Sequence, residues 1–385
     1  MKNLNKTVLA FKESIFATLT KMSAQNQAIN LAQGFPDFDG PQFLTKLIAK
    51  YSQGPQNQYA PLEGILPLRE KLSDIYKNFY NLDYDAKEEI TITHGATEAI
   101  YCTITALTNP GDEVIVFEPF YDSYLASIKL AGATPVAVTL HAPEFQFDEG
   151  ELKNAISQKT KLIILNNPHN PSGRVFSKKE LEIISKVAIE NDCYVLSDEV
   201  YEYLTFDSHK HIPVASIDQM KDKTVTISSM GKTFGLTGWK TGWACAPHFL
   251  THAIRMVHQF TTFCTHHPTQ MALCEGLDHI DNYIPTFQKT YQEKRDYFTK
   301  ELQNLGFNPF ISQGTYFSMC PIPQEMKMND IQFCEYLIKN YKVATIPPSC
   351  FYQKSKDGEK YLRFCFAKKE ETLKEAFNNL SSALK

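Results

Sequence analysis

Between about residue 90 and residue 245 the chain alternates short β-branched or apolar runs with helical patterns. The runs are "EITIT" (89–93), "EVIVF" (113–117), "TPVAVTL" (134–140), "KLIILN" (161–166), "CYVLSD" (193–198), "TVTIS" (224–228) and "GWACA" (242–246). Between two of them stands "SKKELEIISKVAIEND", where Ser177 and Glu180 form a capping box and Leu181, Ile184, Val187 and Ala188 an apolar stripe. Strands that are apolar on both faces and separated by helices predict an α/β fold with a mostly parallel sheet between helices. After about residue 280 the pattern changes. Helical stretches such as "YIPTFQKTYQEKRDYFTKELQNLG" mix with isolated strands, "GTYFSMCP" and "KYLRFCF". The expected organisation is a large α/β domain over 45–280 and a smaller α+β domain built from both chain ends, 1–44 and 281–385. Ligands of such sheets bind at the carboxyl ends of the strands, so chemistry is sought just after each run.

Composition narrows the class. With 385 residues and a formal charge of −4 spread without long single-sign runs, a dedicated nucleic-acid or membrane-surface role has little support. No stretch approaches the roughly 20 apolar residues of a membrane span. The start, "MKNLNKTVLAFKESIFATLTKMS", lacks an uninterrupted apolar core of the kind that directs secretion. Nine cysteines, odd in number and never spaced Cys-x-x-Cys, suit free thiols in a reducing compartment. The expectation is a soluble cytoplasmic protein.

The lysine of "SSMGKTFGLTGWK" (228–240) asks for a chemical reading. A nucleotide-binding P-loop needs its first glycine at position 226, and that residue is Thr226. The segment after Lys232 carries two glycines and does not open a helix, which the P-loop also requires. An ordinary turn lysine is the commoner case, but its neighbours argue for pyridoxal phosphate. That cofactor needs hydroxyls, helix N-terminal N–H groups and a cation for its phosphate. Its ring nitrogen needs a carboxylate, its phenolic oxygen donors, its ring face an aromatic plate, and its aldehyde a lysine.

Each requirement has a candidate just after a strand. "THGATEAIYCTITAL" opens a helix at Ala96 and Thr97, a ready phosphate site. "FEPFYDSY" offers Tyr121 as the plate, and "NNPHNPSG" offers Asn170 as a donor. Asp198 ends an apolar strand, where an unpaired carboxylate is costly, and Tyr201 follows three residues on. Ser229 and Lys240 flank Lys232 at a spacing that brings a hydroxyl and a second cation to a phosphate. Taken alone, each reads as readily as a cap, a turn or core packing; together and in this order they are specific.

The segments "GATEA", "NPHNPSG", "SDEVYE" and "SSMGKTFGLTGWKTGW" resemble the signatures of class I/II, fold-type-I aminotransferases. With "INLAQGFPDFDGP", "NQYAPLEG" and "YLRFCFAKKE" the likeness spans almost the whole chain. It points to the branch of methionine aminotransferases and kynurenine/glutamine transaminases. The resemblance implies Lys232 as the Schiff-base lysine and Asp198 as partner of the ring nitrogen. Tyr201 and Asn170 would bond the phenolic oxygen, and Tyr121 would stack on the ring. Ala96, Thr97, Ser229 and Lys240 would hold the phosphate, helped by Tyr59 from the other subunit of a homodimer. Arg363 would clamp the substrate carboxylate, assisted by Asn170 and the Gly34 backbone. Many relatives carry arginine where Lys240 stands; lysine supplies the charge as a point rather than a fork.

The implied activity is ping-pong transfer of an amino group from methionine, or an aromatic, glutamine or kynurenine-type amino acid, to a 2-oxo acid. Phe35, Tyr59, Phe260 and Phe263 supply an aromatic set that would favour such side chains over aspartate. Two rivals share the cofactor site: a carbon–sulfur β-lyase acting on cysteine conjugates, and a non-catalytic regulatory protein. The histidines of "HKH" (209–211) and the pair His266 and His267 lack companions at metal-site spacing. They read as solvated loop residues, and no metal is expected.

Overall fold

The computed structural model describes residues 4–11 and 15–384. Residues 1–3, 12–14 and 385 of the expected small domain lie outside the described residues. In chain order the strands are β1 (Ile29–Asn30), β2 (Ile90–Thr93), β3 (Glu113–Glu118), β4 (Thr134–Thr139), β5 (Thr160–Asn166) and β6 (Tyr194–Asp198). They continue with β7 (Thr224–Ser229), β8 (Gly242–Cys245), β9 (Phe317–Pro321), β10 (Val343–Ala344) and β11 (Tyr361–Cys365). Every run read as a strand from the sequence is one.

Seven strands form the main sheet in the order β2-β8-β7-β6-β5-β3-β4. Neighbours are parallel except at β8, which runs antiparallel to both β7 and β2. The cause is local. A parallel crossover takes a dozen or more residues, usually with a packed helix. Between β7 and β8 the chain makes only a one-turn helix, Met230–Thr233, and a 3-10 turn, Thr237–Trp239, and doubles back. The end of β7 and the start of β8 therefore share one sheet edge with the carboxyl ends of β3, β5 and β6.

Both faces of the sheet are covered, so its strands are buried on both sides, mostly apolar but alternating with buried threonines and serines in β2 and β7. Leu162 and Ile164 of β5 point into a core with the helices Gly95–Leu107, Ser123–Leu130 and His248–Thr261. Ile163 and Leu165 point into another, against the helix Lys178–Glu190. The expected capping box is present at its start, with Ser177 accepting from the Glu180 N–H and Glu180 accepting from the Ser177 N–H.

The chain ends meet in a separate set of strands. β1 pairs in parallel with β10, and β11 pairs antiparallel with β9. The Cys365 N–H donates to the Leu31 carbonyl at 2.8 Å, which joins the two pairs. The helices Ile280–Asn304, Asp330–Tyr341 and Glu370–Leu380 bury Phe298, Phe333 and Phe377 in one core beside these strands. Among the described residues, no helix is long and apolar enough to cross a membrane.

Candidate active site

The cavity at the shared edge begins where β2 passes into the helix Gly95–Leu107. Gly95 turns the chain with φ +75°, a region costly for residues with a Cβ. Gly242 of β8 lies so close beneath that a Cβ there would stand 2.7 Å from the Ala96 nitrogen. This contact brings the helix start, the β7 end and the β8 start together. Gly95, Ala96 and Thr97 line the cavity with Ser229 and Lys240. The Ser229 hydroxyl donates to the Thr241 carbonyl at 3.2 Å and accepts from the Gly231 N–H at 3.2 Å. Lys240 holds φ +50°, a left-handed conformation uncommon outside glycine and asparagine, at the turn into β8.

Tyr121 enters from the loop after β3, Asn166 and Asn170 from β5 and its following turn, and Asp198 and Tyr201 from the end of β6. Asp198 is buried, and burial pushes its carboxyl up to about 6. The Tyr124 hydroxyl donating to Oδ2 at 2.6 Å, the Val200 N–H at 3.4 Å and the Lys232 charge all pull the other way. Lys232, half-buried, is pushed down to about 8 by desolvation. Its Nζ donates to the Tyr316 hydroxyl at 3.1 Å and to the Gly34 carbonyl at 3.4 Å. Arg363 of β11 reaches the same place from the other side. Its Nη1 donates to Asn170 Oδ1 at 3.0 Å and its Nη2 to the Ala32 carbonyl at 2.9 Å. The guanidinium lies 4.1 Å from the Phe317 ring centre and 5.0 Å from that of Phe351.

Nine of the residues named from the sequence thus line one cavity: Ala96, Thr97, Tyr121, Asn170, Asp198, Tyr201, Ser229, Lys232 and Lys240. Gly34 and Arg363 join it through hydrogen bonds to Lys232 and Asn170. Tyr59 does not line it. It is 84% exposed and meets Phe263 edge-on at 5.6 Å. Phe35, Phe260 and Phe263 are exposed as well, and none lines the cavity of its own chain.

Sequence reasoning missed three contributors. Tyr124 stands three residues after Tyr121 in "FEPFYDSY", at helical spacing, and props Asp198 from behind. Asn166 accepts from the Asn170 N–H at 2.7 Å and donates to the Asp198 carbonyl at 2.8 Å, tying two site loops together. Tyr316 comes from the distant "GTYFS" strand, and only the fold brings it to Lys232. One expectation is corrected. His211 is not a solvated loop histidine: its side chain is 2% exposed and its Nε2 sits 2.8 Å from Glu199 Oε2. Glu199 follows Asp198 directly and points away from the cavity into a buried polar layer, which draws His211 in. Among the described residues, Glu98, Cys102 and His258 cluster closely enough to ligate a metal. Glu98 and His258 instead bond each other at 2.9 Å, and His258 Nε2 lies 3.0 Å from the Leu62 carbonyl.

The donor set fits pyridoxal phosphate. The helix start, a serine hydroxyl and a lysine make a dianion site, and a buried carboxylate short of cationic partners faces the place of a protonated ring nitrogen. The geometry therefore fits an enzyme of the pyridoxal-phosphate type, with a buried arginine beside the cavity. Residues 26–380 match the family described as "Aminotransferase class I and II". The methionine aminotransferase of Escherichia coli is 39% identical over 95% of this chain and 95% of its own length. The kynurenine–oxoglutarate transaminase of Dictyostelium discoideum is 36% identical over 98% and 95%. The solved N-succinyldiaminopimelate aminotransferase of Mycobacterium tuberculosis superposes with a TM-score of 0.95 at 36% identity, covering 98% of this chain and 99% of that one. The chain belongs to the class I and II aminotransferases, and its cofactor is pyridoxal phosphate.

Proposed function

We propose that the enzyme transfers the amino group of methionine, or of an aromatic, glutamine or kynurenine-type amino acid, to a 2-oxo acid by a ping-pong route. The observation that carries this reading is the meeting of Lys232, Asp198 and the Arg363–Asn170 pair around one cavity. Ala96 and Thr97 N–H groups, Ser229 and Lys240 would hold the phosphate, Tyr121 would cover the ring, and Tyr201 and Asn170 would bond its phenolic oxygen. When bound, pyridoxal phosphate is the electron sink for the pair left when the substrate's Cα–H bond breaks. Asp198 keeps the ring nitrogen protonated. Lys232 would hold the cofactor through its amine and, when that amine is free, would serve as the base that takes the substrate's Cα proton and the acid that gives it back. Burial suits it to that task, since an amine pushed down to about 8 is roughly one-tenth neutral at pH 7, where one at the ordinary value is almost wholly protonated. Arg363 fixes the substrate carboxylate.

Two features support the side-chain preference. Among the described residues, the cavity's own cations are Lys232 and Lys240, both committed to cofactor, and Arg363 serves the α-carboxylate. That leaves no cation for a second carboxylate such as aspartate's. The relatives named for methionine and kynurenine agree. The exposed pair Tyr59 and Phe263, with Phe260 exposed as well, supports a homodimer in which these rings complete the partner's site. The large domain over 45–280 carries the cofactor, and the chain-end domain closes over it. The compartment we propose is the cytoplasm; all nine cysteines are free thiols. The test is a visible spectrum of the purified protein before and after L-methionine, with no oxo acid present. Loss of the lysine-bound cofactor's yellow band supports the reading. An unchanged band with methionine and kynurenine, but bleaching with aspartate, overturns the substrate assignment.

A further inference from the structure

The Lys232 amine has two acceptors beside it, and they are themselves joined. The Tyr316 hydroxyl donates to the Gly34 carbonyl at 2.6 Å, so its own oxygen is free to accept from Lys232 Nζ at 3.1 Å, while Nζ reaches the Gly34 carbonyl at 3.4 Å. The ring of Tyr316 is fixed by packing. It is 1% exposed, edge-on to Tyr201 at 5.3 Å and to Phe317 at 4.8 Å. Gly34 is fixed as well, since a Cβ there would stand 2.5 Å from the Phe317 ring.

We propose that Tyr316, together with the Gly34 carbonyl, is the positioning site for the Lys232 amine after substrate has displaced it. This rests on Lys232 being the catalytic amine. A neutral primary amine has two N–H groups and one lone pair. Giving both N–H groups to the tyrosine oxygen and the glycine carbonyl leaves the lone pair to the cavity, where the substrate's Cα proton is to be taken. After proton capture the same two bonds hold the ammonium, and the third N–H points where the proton must be returned. The Tyr316–Gly34 bond polarises the phenol and makes its oxygen a better acceptor. Because burial pushes the Tyr316 phenol far up, it stays neutral and takes no proton itself.

Tyr316→Phe keeps the ring and removes the oxygen. With saturating methionine, kcat is expected to fall about 10–100-fold while KM moves less than about threefold, because misplacing a base slows proton transfer without loosening the carboxylate clamp. The rate difference between α-protonated and α-deuterated methionine is expected to widen. A second readout needs no turnover. In cofactor-free enzyme, the pH dependence of Lys232 modification by trinitrobenzenesulfonate reports its titration midpoint. Loss of an acceptor that favours the ammonium is expected to lower that midpoint by about 0.5–1 pH unit. An unchanged midpoint with kcat within twofold of the parent overturns the proposal. If the phenylalanine variant folds poorly, 3-fluorotyrosine at 316 carries the same test with smaller shifts of the same sign. Lys232→Ala separates the two readings. Turnover surviving in it removes Lys232 as the amine; turnover lost in it but untouched in Tyr316→Phe removes Tyr316 alone.

Discussion

Asp198 carries opposite consequences in the cofactor-free and cofactor-loaded enzyme. Buried without a full cationic partner, its carboxyl rises from the ordinary value near 3.8 to about 6. The folded cofactor-free protein therefore holds a proton that the unfolded chain releases between those values. Stability from this group is present below about pH 4 and is lost as pH rises through about 6. Asp198→Asn removes that loss. The variant's thermal stability relative to the parent is expected to improve from pH 4 to pH 7 and then level, by about 2–3 kcal/mol at most. Calorimetry of both cofactor-free proteins at matched pH checks this, and a flat difference would contradict it. The same variant loses turnover, since asparagine carries no charge to keep a ring nitrogen protonated. Much of the cavity's lining was legible in the sequence because each candidate is a residue type placed just after a strand-like run: Asp198 after "YVLS", Lys232 after "TVTISSMG". Tyr316 and Tyr124 were not, because nothing near them in the chain marks a tyrosine as a neighbour of an amine or a carboxylate. His211 misled for the same reason, its burial being decided by Glu199 across a loop.

At the level of elements, the decisive arrangement is the short reversal between β7 and β8. It sets Lys232 and Lys240 on one edge and lays β8 against the start of the helix Gly95–Leu107. Gly242 is where that approach is tightest. Gly242→Ala would put a methyl group 2.7 Å from the Ala96 nitrogen and 2.9 Å from the Ser228 carbonyl oxygen. Both are backbone atoms that cannot swing away. The helix start must move off the phosphate position, and cofactor affinity is expected to fall at least about tenfold, with a stability loss of about 1–3 kcal/mol. Absorbance titration of the cofactor-free variant with pyridoxal phosphate measures the first. Every strand of the main sheet was visible as a β-branched or apolar run. The direction of β8 was not visible. It follows from what the 230–241 segment lacks, a helix long enough to cross the sheet.

For the whole molecule, one buried carboxylate is among the ties between the two sets of strands. Glu118 at the end of β3 is fully buried and accepts from the N–H groups of Gln353, Lys354 and Ser355 at 2.7, 2.8 and 2.8 Å. Thr139 Oγ1 adds a fourth bond at 2.9 Å. Two residues on, the Phe120 N–H donates to the Phe351 carbonyl at 2.9 Å, and the Phe351 ring packs by the Arg363 guanidinium. The loop that presents Tyr121 is thereby tied to the one that supports the substrate clamp. Glu118→Ala takes the acceptor from three N–H groups of a part-buried loop. It is expected to destabilise the enzyme by about 3–5 kcal/mol and to raise KM for the amino acid more than it lowers kcat. Thermal unfolding and steady-state kinetics read the two effects, and an unchanged KM would show the tie to be structural alone.

The pairing of β1 with β10 also sets a timetable for synthesis. β1 leaves the ribosome early, yet its partner strand follows about three hundred residues later. At about 5–20 residues per second that is an interval of about 15–60 s. During it the parallel sheet can close and the phosphate cradle form, because Gly95 through Gly242 are already made. Leu31 and its neighbours wait, apolar and unpaired, for β10 and β11 to emerge. The strands that carry the proposed cofactor site are thus all made before Arg363 of β11, the proposed substrate clamp.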